Sequence, residues 1–106
     1  MPNPPIVIEE WKPRRQNTLV GFAVVRLPSG MKLHDVSVHM MGTKAWASPA
    51  SKPQIDRNGA AIRGDDGKIK YLPVVSFETK AISDKFSIGV VEALRLAYPD
   101  ALAGAL

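Results

Sequence analysis

The chain has 106 residues, a length that fits one domain with a modest core. Hydrophobic residues make up 45% and charged residues 23%, both near globular norms, and the absence of cysteine excludes disulfides and thiolate metal sites. The net charge of +4 favours polyanions weakly, and no apolar run approaches the roughly 20 residues that span a bilayer.

"MPNPP" reads as a frayed leader over residues 1–5, and nothing in "MPNPPIVIEEW" has the basic-then-apolar pattern of a secretory signal. A cytoplasmic protein is the expectation. "IVIEEWKPRR" is extended, with Ile6, Ile8 and Glu10 on one face and Val7, Glu9 and Trp11 on the other. Pro13 removes a ladder donor and marks an edge position or a strand end. "QN" at 16–17 is a turn. "TLVGFAVVRL" is β-branched and apolar on both faces, which predicts a central strand. "PSG" at 28–30 turns the chain, so Leu19–Leu27 and Met31–Met40 form an antiparallel hairpin. "GT" at 42–43 turns it again into a short strand, "KAWAS".

Residues 49–68 carry two prolines, three glycines and seven charges without sustained periodicity, which predicts a long loop. "IKYLPVVSF" restores a strand signal. Ile82, Phe86, Val90, Ala93, Leu94 and Ala97 recur at helical spacing, with Ser76 or Thr79 as the cap and Pro99 as the terminator. Four strands on short turns, a fifth strand and one helix predict an α+β fold over 1–106: an antiparallel meander of four to five strands with a C-terminal helix. One helix leaves part of such a sheet uncovered, which points to a homodimer.

Chemistry is sparse. "LHDVSVH" places His34, Asp35 and His39 within six positions. On a regular strand His34 and His39 fall on opposite faces, and Asp35 and His39 lie about 13 Å apart. On that geometry no two of the three can bind one metal ion without help from elsewhere, and a catalytic His–Asp pair within the strand fails in the same way. Met31, Leu33, Val36, Val38 and Met40 read as core, and Trp46 reads as core rather than as a base-stacking platform. "GDDGK" at 64–68 is a turn. There is no phosphate-binding glycine loop and no nucleophile elbow. An enzyme built on Asp35, Asp65 or Asp66 lacks a second member, so no catalytic residue, metal, cofactor or small-molecule substrate is assigned.

Basic residues fall in groups: Lys12, Arg14 and Arg15 on the first strand, Lys44 and Lys52 around the tryptophan strand, and Arg57, Arg63, Lys68 and Lys70 in and after the loop. Lys80 and Lys85 sit at the start of the helix, where free N–H groups also favour an anion. Each lysine alone is ordinary solvated surface; together they suit a phosphate backbone.

Four stretches resemble the SpoVG family (stage V sporulation protein G), small bacterial DNA- and RNA-binding regulators. "LVGFAVVRL" with "MKLHDVSVH" is similar to its hairpin, including Leu33, His34, Asp35 and Val36. "KAWASPASKP" matches the stretch that supplies Pro49, Ser51 and Lys52; "KYLPVVSF" resembles the strand after the loop; "SDKFSIGVVEALRLAY" looks like the C-terminal helix with Lys85 ahead of its apolar face. The likeness covers residues 6 to 98 and fits a phage or mobile-element branch with a longer loop at 54–68 and extra residues between Val75 and Lys85. The family's short basic element just ahead of the helix has no clean copy here, and Lys80 and Lys85 are the nearest candidates. The resemblance implies a dimeric, non-enzymatic module binding DNA or RNA, with Lys44, Lys52, Lys70, Lys80 and Lys85 as the candidate contacts. The alternative is a protein-interaction or structural component of a phage or mobile element.

Overall fold

The computed structural model describes residues 6–102, so the leader expected at 1–5 lies outside the described residues. Four strands, β1 (Val7–Gln16), β2 (Leu19–Arg26), β3 (Lys32–Met41) and β4 (Lys44–Ser48), form one antiparallel sheet in sequence order. Helix α1 (Lys80–Ala97) packs across one face and reaches both edge strands. The fold is therefore α+β, with the expected meander and C-terminal helix.

The helix follows from its sequence. Thr79 is the cap: its hydroxyl accepts from Ile82 N–H at 3.2 Å, so Ser76 does not serve. Phe86, Val90, Val91 and Leu94 form the buried stripe, while Ile82 and Ala97, expected on that face, are exposed. Burying four such side chains contributes about 6–12 kcal/mol. The helix ends at Ala97, with Tyr98 as its cap residue, because a residue before Pro99 disfavours helical backbone. On the sheet side the core is Ile8, Val20, Ala23, Val25, Val36, Val38 and Ala47. Edge strand β4 is tied to the helix where Ala47 N–H donates to Ser87 Oγ at 2.8 Å.

The strand pairing slips at four places, between Ile8 and Glu10, Pro13 and Gln16, Leu19 and Gly21, and Ala23 and Val25, and two of these slips fall at charged residues. The pairing of β1 with β2 slips between Ile8 and Glu10, so Glu9 is an extra residue. Ile6, Ile8 and Trp11 consequently all pack on the helix side, although Ile8 and Trp11 were expected on opposite faces. Glu9 receives Arg26 and Lys32, each at 3.3 Å. The pairing of β2 with β3 slips between Ala23 and Val25, opposite a backbone with φ +56° at Asp35. Leu33 and Val36 therefore both pack on the core, and His34 falls on the same side of the sheet as His39 rather than the opposite one.

Trp11 takes the core place that the sequence reading gave to Trp46. Its ring lies over Gly21, where an added Cβ would stand 2.6 Å from the ring and 2.6 Å from the Lys12 carbonyl. Trp46 instead pairs with His39 on the face away from the helix, the two rings stacked at 5.5 Å.

The stretch 49–68 is not a structureless loop. β5 (Ser51–Pro53) pairs antiparallel with β6 (Tyr71–Pro73) as a separate two-stranded ribbon, so the fifth expected strand shrinks to three residues and leaves the main sheet. Beyond the ribbon the backbone folds into two tight turns, Asp56–Gly59 and Gly64–Gly67. Each is closed by a glycine N–H, at 3.1 and 3.0 Å. Both glycines have positive φ, +82° and +79°, which a side chain would resist. Three backbone bonds close a ring at the junction: Gln54 N–H to Lys70 C=O, Lys70 N–H to Ile62 C=O, and Ile62 N–H to Gln54 C=O, all 2.8–2.9 Å. The backbone groups of this arm satisfy one another, which orders a segment without an apolar core of its own. The radius of gyration is 15.1 Å, against about 13 Å for a compact chain of this length.

Candidate nucleic-acid interface

The arm, residues 51–73, holds five cations, Lys52, Arg57, Arg63, Lys68 and Lys70, against three carboxylates. It therefore carries half of the net charge of +4. Its turns explain two of the three acids. Asp56 Oδ1 accepts from Asn58 N–H at 2.8 Å and Ala60 N–H at 3.0 Å, and Asp66 Oδ1 accepts from Lys68 N–H at 3.0 Å. These carboxylates close turns instead of neutralising lysines.

Ion pairs lie elsewhere. Among the described residues they join Lys12 to Glu10, Arg26 and Lys32 to Glu9, and Lys80 to Asp84. No arm cation is in one. Arg63 donates to the Gly67 carbonyl at 2.8 Å, which braces the second turn.

The five lysines predicted from sequence are not one cluster. Lys52 pairs with Leu72 in the ribbon and Gln54 bonds Lys70, so Lys52 and Lys70 are diagonal neighbours on one ribbon face. Lys44 opens β4 beside the β3–β4 turn, at the end of that strand away from the arm. Lys80 is the first helical residue, with its Nζ 3.0 Å from Asp84 Oδ2. Lys85 is exposed on the helix. Both helix lysines belong to the element that covers the opposite face of the sheet from Trp46. Sequence reasoning grouped Arg57, Arg63 and Lys68 with the loop but gave no reason to choose them. The turn signals "DRNG" and "GDDG" on either side of "AAIR" were the available clue that these residues share an ordered arm.

The open sheet face is half polar. A row of paired residues, Lys12, Phe22, Ser37 and Ser48, crosses all four strands. Beside it His39 stacks on Trp46, and His39 Nδ1 shares a 3.1 Å hydrogen bond with Thr18 Oγ1. Partial burial holds the His39 imidazole below its ordinary pKa, so it favours the neutral ring. Between this face and the base of the arm runs a cleft of about 400 Å³, lined by Phe22, Asp35, Ser37, Pro49, Ser51 and Tyr71. Among the described residues no three His, Asp or Glu side chains are placed to hold a metal ion, and no helix is long and apolar enough to cross a membrane.

No protein-family model matches the chain, and neither a curated protein nor a solved structure does.

Proposed function

We propose that the protein is a non-enzymatic nucleic-acid-binding regulatory module that contacts phosphates through its β5–β6 arm. The observation that carries this reading is the arm itself. It holds five cations, none ion-paired among the described residues, on a narrow ribbon that pairs with no strand of the main sheet. Unpaired lysines and arginines release counterions when they meet phosphates, whether of a duplex or of a single strand. Lys52 and Lys70 are the central contacts, with Arg57, Arg63 and Lys68 toward the turns. Lys44, Lys80 and Lys85 are peripheral, and Lys80 already has a carboxylate partner.

The resemblance to the SpoVG family supports the same reading and adds a cytoplasmic homodimer acting on DNA or RNA. Exposed Ile82, Ile88 and Leu96 on the helix are the apolar surface such a dimer would cover. A second reading, a protein-docking component of a phage or mobile element, draws on exposed Ile55, Leu72 and Val74 in and beside the arm.

Fluorescence anisotropy with labelled DNA and RNA at low salt separates the two. The nucleic-acid reading expects binding that Lys52→Glu/Lys70→Glu abolishes without unfolding the protein. Absence of binding at low salt, together with a protein partner that tolerates the same double variant, would favour docking instead.

A further inference from the structure

The cleft at the base of the arm has a feature that phosphate binding does not use. Its walls are aromatic and hydroxylic, Phe22 and Tyr71 with Ser37 and Ser51, and its charged member is an acid, Asp35. Asp35 makes no hydrogen bond or ion pair with any described side chain or backbone group outside the sheet ladder. It occupies a left-handed backbone at φ +56°, in the bulge where β3 slips against β2. Left-handed backbone at a non-glycine residue is uncommon, and Asp and Asn tolerate it best. From this bulge Asp35, exposed to solvent, lines the cleft together with Phe22 and the arm residues Ser51 and Tyr71.

A carboxylate beside a phosphate-binding ribbon repels the backbone, so its ligand is a hydrogen-bond donor. A cleft with two aromatic residues and such an acceptor in its lining suits an unpaired nucleobase. The four bases differ at the edge they would present. Guanine offers N1–H and the N2 amine side by side, two parallel donors that match the two oxygens of a carboxylate. Adenine and cytosine place an acceptor nitrogen next to their amine. Thymine and uracil place a carbonyl on each side of their single N–H.

Resting on the nucleic-acid reading above, we propose that the cleft between the open sheet face and the arm takes one unpaired guanine of a single strand. Its Watson–Crick edge meets Asp35, its ring lies against Phe22 and Tyr71, and the strand's phosphates run along Lys52 and Lys70. The module then binds single strands containing guanine in preference to duplex, where that edge is occupied.

The test uses the full chain and equal-length single-stranded thymidine oligonucleotides that differ at one central position: guanine, hypoxanthine, adenine or an abasic sugar. The expected order is guanine above hypoxanthine, which lacks the N2 amine, and both above adenine and the abasic strand. Guanine should lead the abasic strand by about tenfold, the scale of one bidentate base contact. Asp35→Asn keeps the left-handed bulge and a nearly identical shape. It should level the four affinities while leaving their salt dependence unchanged. Equal binding of the guanine and abasic strands, both falling with salt, would overturn the guanine site and leave the arm's phosphate contacts standing. Failure of all four strands to bind at low salt would remove the nucleic-acid reading itself. Displacement of the guanine strand by an equal concentration of guanosine monophosphate would overturn the assignment to a strand.

Discussion

Gly21 is where a single added carbon should show most clearly how the sheet is built. A Cβ there would stand 2.6 Å from Trp11 Cη2, 2.8 Å from Trp11 Cζ2 and 2.6 Å from the Lys12 carbonyl oxygen. The indole can retreat only by leaving the core surface it covers. The carbonyl belongs to the neighbouring strand and moves only with β1. Relieving these contacts to ordinary van der Waals distance requires shifts near 1 Å on both sides, and overpacking of this kind costs about 1–3 kcal/mol. For a domain of this size each kcal/mol lowers Tm by about 4–8 °C, so Gly21→Ala should melt about 4–24 °C below the parent. Thermal unfolding followed by circular dichroism gives the shift. Tryptophan emission should move to the red as Trp11 is displaced. In a Trp11→Ala background the ring contact is gone and only the carbonyl contact is left, so the second Gly21→Ala shift should be smaller than the first. A Gly21→Ala protein that melts within 1 °C of the parent, with unchanged emission, would refute the packing of Trp11 on Gly21.

Three further outcomes follow from particular contacts. Ser87→Ala removes the acceptor of the Ala47 N–H on the edge strand and should lower stability by about 1–3 kcal/mol in urea unfolding. A loss under 0.3 kcal/mol would mean that water replaces the hydroxyl. His39 is held below its ordinary pKa of 6.5 by burial, so the unfolded chain binds more protons than the folded one just below that pH. Stability should therefore fall as the pH drops below 6.5, until His39 itself protonates. The difference between urea midpoints at pH 7.5 and 5.5 should be smaller in His39→Gln than in the parent. Asp56→Ala deletes the carboxylate oxygen that accepts two turn-closing hydrogen bonds. It should speed amide exchange at Asn58 and Ala60, while Tm changes by less than about 2 °C because no core residue is touched. A cooperative loss of the whole fold would show that the arm is part of the core's folding unit.

The meander and the helix are legible in the sequence because their signals are local. Turn residues at 16–17, 28–30 and 42–43 separate apolar strands, and Phe86, Val90 and Leu94 recur at helical spacing. Side-chain facing was less legible, because one inserted residue inverts every later position on a strand. Glu9 and Asp35 are such insertions, and each breaks a period of two where Ile8 is followed three residues later by Trp11, and Leu33 by Val36. Trp46 was misplaced for a related reason. Its strand alternates small and large residues, and nothing local says that Ala47 faces the helix. The arm was missed because its order comes from backbone bonds among Gln54, Ile62 and Lys70, which leave no hydrophobic period to read. Of the candidate site, Lys52 and Lys70 could be named from the sequence. That they share a ribbon face could not, since β5 and β6 stand far apart in the chain.

The central claim is that the arm's unpaired cations meet phosphates, and a salt titration addresses it most directly. Anisotropy with a single-stranded oligonucleotide would be measured from 50 to 200 mM salt for the parent and for Lys52→Ala/Lys70→Ala. If all five arm cations contact phosphate, the slope of log affinity against log salt should be about −3.5, and two fewer contacts should reduce it to about −2. Over that range the parent should lose roughly 100-fold in affinity and the double variant roughly 20-fold. A parent protein whose affinity ignores salt, or a double variant with the parent's slope, would contradict the account.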